Sequence, residues 1–307
     1  MKSFLVKATL FFIVPIFIHA AIFYTIKFGF IDDISRYPII ILGDSQTEFI
    51  RDVEIYNRSI QGSPYFVHFK FSEDFIEQIK GKKIYIACNY HNFSKLYQNR
   101  LANDSLLVGW RTAIFNQLDE YHIFNHKYLE LRPGDLDYTF FDIKKLPKLF
   151  YKTYLRQDSK NSFKSIINDT LSISNAIQRH WNHSGYVLED STQNTYLKKL
   201  ITLLNKNNCE VVLLKMPLTN YYIENVPKEI KNELSELSNN HNIQILDLNK
   251  ELSISNEYKY FKDYGHLNKL GDSLVMDYFI KNEIKARTHK NVYVKNNGVS
   301  AKTKLSP

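Results

Sequence analysis

Short apolar runs alternate with amphipathic helical segments along much of this 307-residue chain. Each run has the length of a buried strand and ends at polar or turn-forming residues. Strands that alternate with helices form a mostly parallel sheet covered on both faces, so the sequence predicts an α/β fold, a three-layer α/β/α sandwich. The predicted strands are Ile39–Leu42 and about 53–60, 82–88, 209–217 and 243–249, and the predicted helices are about 66–79, 192–208, 227–242 and 269–284.

The N-terminal segment, residues 1–29, predicts a membrane anchor. After Lys2 and Lys7, the 19 residues from Ala8 to Ile26 carry no charge. A helix of that length spans about 28 Å, close to the thickness of a bilayer core. The leading lysines favour a single pass through the cytoplasmic membrane with the main domain outside the cytoplasm. A cleaved signal peptide and a secreted protein are the alternative, but the segment stays apolar beyond Ala21, which favours the anchor.

The rest of the chain divides into one domain and a tail. Residues 30–286 form the predicted α/β domain, interrupted at about 95–190 by an aromatic-rich helical insertion. The tail, residues 287–307, carries five of the eight net positive charges and no acid. A disordered end is the expected state of such a tail, and contact with an anionic polymer or lipid is the other interpretation. Nothing in the sequence resembles a nucleic-acid-binding module, so no nucleic-acid partner is expected.

The first strand runs directly into Gly43-Asp44-Ser45. In parallel sheets, binding and catalytic sites form just beyond the carboxyl ends of the strands. Ser45 therefore has two interpretations. With Glu48 it matches the pattern of a helix capping box, and at the end of a buried strand it is also placed as a nucleophile.

A second motif, Asp263-Tyr264-Gly265-His266, stands just before the last predicted helix. A serine nucleophile needs a base to accept its proton and a third group to orient that base. His266 can serve as the base for Ser45, and Asp263, three residues earlier on a turn, can reach the opposite nitrogen of the imidazole ring.

The two motifs together resemble those of the SGNH (GDSL-like) hydrolase superfamily. Its nucleophile lies in a Gly-Asp-Ser motif after the first strand, and its Asp-x-x-His precedes the last helix. The resemblance extends in blocks over residues 37–285. It implies a Ser45–His266–Asp263 catalytic triad that acts on esters and requires neither a metal nor a cofactor.

The resemblance also implies an oxyanion hole. The backbone N–H groups of Ser45 and Gly62 are the expected donors from the first two blocks of the family. The third block is Gly-x-Asn-Asp in the family, but here Asn89, His91 and Asn92 stand at the glycine, asparagine and aspartate positions. We expect one of these three side chains to supply the remaining donor.

An anchor followed by such a domain also resembles the accessory proteins that move acyl esters on cell-envelope polysaccharides. The expected function is therefore a serine esterase or acyltransferase that acts on an O-acyl, and specifically an O-acetyl, ester of an envelope glycan, with a membrane acyltransferase as a potential partner. A non-catalytic, anchored scaffold that binds a glycan or a partner is the alternative, and a lipid-directed esterase is a third interpretation.

Overall fold

A computed structural model describes residues 33–97, 170–182 and 192–285 of the chain. The predicted anchor at 1–29, the tail at 287–307 and most of the predicted insertion at 95–190 lie outside these residues. Within the described parts, every helix is too short or too polar to cross a membrane. The membrane anchor therefore stays a prediction from the sequence.

The core of the protein is a five-stranded parallel sheet, which confirms the predicted α/β class. The strand order is β2-β1-β3-β4-β5. Successive side chains of a strand point to opposite faces, and all five residues of β1 are buried, so helices and loops cover both faces of the sheet. The strands are β1 (Ile39–Gly43), β2 (Ile55–Ser59), β3 (Lys83–Ala87), β4 (Glu210–Lys215) and β5 (Gln244–Asp247).

The helices flank this sheet, and aromatic side chains fasten several of them. Tyr85 of β3 packs edge-on against Phe279 of the last α-helix, with 5.3 Å between ring centroids. The α-helices are α1 (Tyr65–Asp74), α2 (Ile76–Ile79), α3 (Thr170–Ile177), α4 (Thr192–Lys206), α5 (Asn220–Glu224), α6 (Lys228–His241), α7 (Leu248–Leu252) and α8 (Lys269–Phe279). Three 3₁₀ turns (Ile34–Arg36, Tyr90–Phe93 and Tyr258–Tyr260) and two π-helical turns (Gln178–Asn182 and Ile280–Ile284) complete the elements of the described ranges.

The strand order places β1 and β3 side by side at the centre of the sheet, although β2 lies between them in the chain. The connections from these two strands leave in opposite directions. A crevice forms at such a switch point, outside the carboxyl ends of the two strands. The segment Asp44–Ser45 follows β1 and the segment Asn89–Asn92 follows β3, so the topology brings both to this crevice.

The chain makes a turn after β1, where the sequence suggested the start of a helix with Ser45 as its cap. Within this turn, Oδ1 of Asp44 accepts a hydrogen bond from the backbone N–H of Gln46 at 3.0 Å. The side-chain amide of Asn57, in β2, donates to the carbonyls of Thr47 at 2.6 Å and Ile50 at 2.7 Å. The carbonyl of Thr47 also accepts the backbone N–H of Ile50 at 3.1 Å. The segment after Ser45 is a turn and not a helix, so the interpretation of Ser45 as a helix cap is wrong.

Candidate active site

Ser45, His266 and Asp263 form a continuous chain of hydrogen bonds at the carboxyl edge of the sheet. Ser45 Oγ lies 2.8 Å from His266 Nε2. His266 Nδ1 lies 2.8 Å from Asp263 Oδ2. The side chains of His266 and Asp263 are 32% and 33% exposed, so this row of hydrogen-bonded side chains is accessible to solvent. In this order and geometry, a histidine can take a proton from the serine while the aspartate fixes its ring.

The turn that carries Asp263 and His266 is held by the aspartate itself. Asp263 Oδ1 accepts the backbone N–H groups of Gly265 at 3.0 Å and His266 at 2.8 Å. The backbone N–H of Thr219, after β4, donates to the carbonyl of Tyr264 at 2.9 Å and fastens the turn to the sheet. Asn268 then caps the start of α8 by accepting the N–H of Leu270. His266 is therefore fixed by contacts on both sides.

The two groups of this pair shift each other's pKa in opposite directions. Burial disfavours both charged forms. For His266, the hydrogen bond and charge of Asp263, with the charge of Asp44, outweigh burial, and the pKa lies above its ordinary value. For Asp263, His266 and the two backbone N–H donors outweigh burial, and the pKa lies below its ordinary value. The site therefore favours the protonated imidazole that forms when a serine is deprotonated.

Gly43 is required by the close approach of the turn to β1. A Cβ at this position would collide with the side-chain hydroxyl of Thr47 and would lie 2.9 Å from Ser59 Oγ. The two hydroxyls are themselves hydrogen-bonded at 2.7 Å. The glycine of the Gly-Asp-Ser motif thus makes room for a polar contact that folds the turn back onto the strand.

Asp44 is the centre of a buried hydrogen-bond cluster beside Ser45. Its Oδ2 lies 3.0 Å from His91 Nε2, 3.2 Å from the hydroxyl of Tyr97 and 3.4 Å from the side-chain nitrogen of Asn92. Burial alone would raise the pKa of Asp44, but the interaction with His91 and the N–H of Gln46 lower it well below its ordinary value. Asp44 is therefore a buried carboxylate that stays ionised.

The predicted side-chain oxyanion donors are engaged in this cluster. His91 and Asn92 direct nitrogen atoms at Asp44. Asn92 Oδ1 also accepts the backbone N–H of Asn89 at 2.8 Å. The side-chain nitrogen of Asn89 donates to Oε1 of Gln46. All three side chains are buried, and their observed contacts fasten the ends of β1 and β3 to each other. A direct role for any of them at an oxyanion stays a prediction.

Gly62 lies on a loop that returns to the end of β1. Its φ of +68° is in the left-handed region that favours glycine. Next to it, the hydroxyl of Ser63 donates to the carbonyl of Gly43 at 3.1 Å, and the backbone N–H of Ile60 donates to the same carbonyl at 2.9 Å. The loop is therefore held beside the strand end that leads to Ser45, which is where a backbone oxyanion donor is needed.

A second serine–histidine contact supports this loop and was missed in the sequence. His68 Nε2 lies 2.9 Å from Ser63 Oγ, and both residues are buried. Since the Ser63 hydroxyl donates to Gly43, the imidazole N–H donates to Ser63. Burial and the charge of Arg58 lower the pKa of His68 to about 3, so its ring is neutral. We interpret this pair as structural.

Known proteins that are similar to this chain were found only among solved structures. No protein-family model matches the chain, and no curated protein matches it. Among solved structures, it is similar to an acylhydrolase described as putative from Bacteroides fragilis, with 13% identity, a TM-score of 0.38, and coverage of 82% of this chain and 86% of the other. A GDSL-like lipase from Bacteroides thetaiotaomicron has 11% identity and a TM-score of 0.41, with coverage of 86% and 96%.

A lipase/acylhydrolase from Enterococcus faecalis has 13% identity and a TM-score of 0.38, with coverage of 82% of this chain and 96% of the other. At TM-scores of this size, neither an activity nor a substrate of this chain follows from these structures. The chemistry has to be argued from the residues of the site.

Proposed function

We propose that this protein is a serine esterase or acyltransferase that acts on an O-acyl ester, specifically an O-acetyl ester, of a cell-envelope glycan. The observation that carries the proposal is the pair of 2.8 Å contacts from Ser45 Oγ to His266 Nε2 and from His266 Nδ1 to Asp263 Oδ2. In this arrangement the hydroxyl is the nucleophile, the imidazole accepts its proton, and the carboxylate orients the imidazole.

In the first half of the reaction, Ser45 Oγ attacks the carbonyl carbon of the ester while its proton passes to His266 Nε2. The tetrahedral intermediate collapses when the bond from the carbonyl carbon to the alcohol oxygen breaks. His266 returns the proton to that oxygen, so the alcohol leaves neutral and the acyl group stays on Ser45. Asp263 stabilises the imidazolium that exists between the two proton transfers.

In the second half, a hydroxyl replaces the first alcohol. Its proton passes to His266, its oxygen attacks the acyl carbon, and Ser45 leaves with the proton from His266. Water as the attacking group gives hydrolysis, and a sugar hydroxyl gives transfer to a glycan. Both reactions use the same residues, so the acceptor that reaches the site decides between them.

The negative oxygen of the intermediates requires donors that are already in place. We assign this role to the backbone N–H groups of Ser45 and Gly62. The loop that carries Gly62 is fastened to Gly43, and this fixes the distance between the two segments. The oxyanion hole is stabilised indirectly by three side chains. His91 and Asn92 bind Asp44, and Asn89 binds Gln46, on either side of Ser45.

The two ends of the described domain favour a glycan over a membrane lipid as the substrate. Lys82 donates to the carbonyls of Ile34 and Ser35, and Lys83 pairs with Glu283 at 2.7 Å, so both ends lie at the amino edge of the sheet. Ser45 lies at the opposite edge, about 16 Å away along β1. An anchor that precedes residue 33 would therefore attach at the edge opposite the site, so that the site faces envelope polymers rather than the bilayer.

The test is the fate of acetyl groups when the full chain, in detergent or nanodiscs, meets an O-acetylated polysaccharide. We expect acetate release, or transfer to an added acceptor glycan, with the wild type and with the control Ser273→Ala, a substitution on α8. Ser45→Ala should abolish both. Binding of the polysaccharide by wild type and Ser45→Ala alike, without release or transfer of acetate by either, would instead establish the non-catalytic scaffold.

A further inference from the structure

Gln46 connects the three segments of the site: the turn after β1, to which it belongs, the end of β3 and the turn that carries His266. It follows Ser45 in the turn after β1, and its side chain is buried, with 4% of its surface exposed. Its backbone N–H binds Asp44, and its side-chain oxygen accepts a hydrogen bond from Asn89 at the end of β3. The sequence motifs gave no reason to single out this residue.

The amide nitrogen of the same side chain packs against the turn that carries the base. A Cβ on Gly265 would collide with Gln46 Nε2, and it would lie 2.6 Å from a methyl group of Leu218. The amide of Gln46 therefore rests directly on the Cα of Gly265, one residue before His266. The lack of a side chain at position 265 is explained by this contact.

Burial of the Gln46 amide group at this place costs free energy. Gln46 Nε2 and Asn89 Oδ1 are buried and have no hydrogen-bond partner among the residues that the structure describes. A buried amide that satisfies only one of its two polar atoms destabilises the fold relative to an apolar side chain of the same shape. A polar group kept in spite of this cost indicates a role other than stability.

We propose that Gln46 is a positioning residue of the site: its amide, oriented by Asn89, sets the position of Gly265 and thereby the distance between Ser45 and His266. Asn89 acts through Gln46 rather than as a donor to the substrate. The kinetic consequence rests on the proposed esterase function, whereas the structural consequence, the geometry of the Asp263–His266 pair, does not.

The test compares Gln46→Ala, Asn89→Ala and the double variant in the full chain. With p-nitrophenyl acetate, we expect Gln46→Ala to lower kcat per folded molecule roughly ten- to hundredfold with little change in KM, because a small misplacement of the base is costly. Asn89→Ala should give a similar loss, and the double variant should lose no more than the larger single loss, since both residues act through one contact. Ile201→Val, a core substitution in α4, controls for a general loss of stability.

The downfield proton resonance of His266 Nδ1–H provides a readout that needs no turnover. We expect it to shift or broaden in Gln46→Ala and to stay shifted or broadened in Gln46→Met, which fills the space on Gly265 but cannot accept a hydrogen bond from Asn89. A wild type without turnover but with these resonance changes would contradict the proposed function and still support the positioning role. Turnover within twofold of wild type with an unchanged resonance, or losses that multiply in the double variant, would overturn the positioning role.

Discussion

Asp44 and His91 form a buried acid–histidine pair next to Ser45, with 3.0 Å between Oδ2 and Nε2. Their side chains are 4% and 1% exposed, whereas the Asp263–His266 pair is about one third exposed. The two pairs therefore differ in access to a substrate. The exposed pair contacts the hydroxyl of Ser45, and the buried pair joins the end of β1 to the segment after β3.

Replacement of His91 separates a structural role from a catalytic one. His91→Ala would leave the Asp44 carboxylate buried without its closest side-chain donor, and we expect the free energy of unfolding to fall by about 2 kcal/mol in urea denaturation. In the fraction that stays folded, kcat should remain within a few-fold of wild type. A loss of roughly 10²–10³ in kcat at unchanged stability would show instead that His91 is an oxyanion donor.

Acid should destabilise the fold through Asp44. The carboxyl pKa is lowered on folding, so its contribution to stability is present above its ordinary value of 3.8 and is lost as pH falls from there toward the folded-state pKa. We expect the urea midpoint to fall steeply below about pH 4. Asp44→Asn should be less stable at pH 7 and should show a shallower decline in acid. An equally steep decline in the variant would assign the acid sensitivity to other carboxylates.

The pH dependence of turnover should report His266. Only the neutral imidazole accepts the proton of Ser45, so kcat/KM rises with pH through the His266 pKa, which lies above its ordinary value of 6.5. Asp263→Asn removes the hydrogen bond and charge that raise this pKa most, and it leaves burial, which lowers the pKa, with only the charge of Asp44 still raising it. The acid limb should therefore move to lower pH while kcat falls roughly 10³–10⁴-fold. An acid limb that does not move would contradict the role of Asp263.

Two glycine substitutions should differ sharply in their effect. Gly43→Ala places a methyl group against Thr47 and 2.9 Å from Ser59 Oγ, and we expect loss of both the folded turn and the activity. Gly81→Ala is the matched control. Its φ of +72° strains an alanine, but nothing lies within 4 Å of the added Cβ, so we expect a cost of about 1–2 kcal/mol and normal activity. Thermal melting and esterase assays of both variants would test this, and equal effects would contradict it.

The strands follow from local sequence patterns, and the approach of Ser45 to His266 follows once these strands form one parallel sheet. The apolar run at Ile39–Leu42 has no polar face, so it can lie only inside a covered sheet. Once the sheet is parallel, residues that follow strands share one edge, and this brings Ser45 toward His266 across 221 positions of sequence.

Contacts that depend on a distant partner could not be predicted in this way. The segment at Ser45 has a helix-like pattern in the sequence, but it folds as a turn, and two of its carbonyls accept hydrogen bonds from the side chain of Asn57 in β2. The donors of Asn89, His91 and Asn92 suited an oxyanion as well as a carboxylate. The partner that each of these side chains binds depends on where Asp44 and Gln46 lie in the fold, and no local sequence pattern predicts that position.

The most direct test of the account is labelling of the full chain with a fluorophosphonate probe, which forms a bond only with an activated serine. We expect one labelled residue, Ser45, in the wild type and no labelling of Ser45→Ala or His266→Ala. Ser72→Ala, which removes a buried hydroxyl of α1, should label like the wild type. A folded wild type that takes no label, or that keeps its label after His266→Ala, would contradict the claim that His266 activates Ser45.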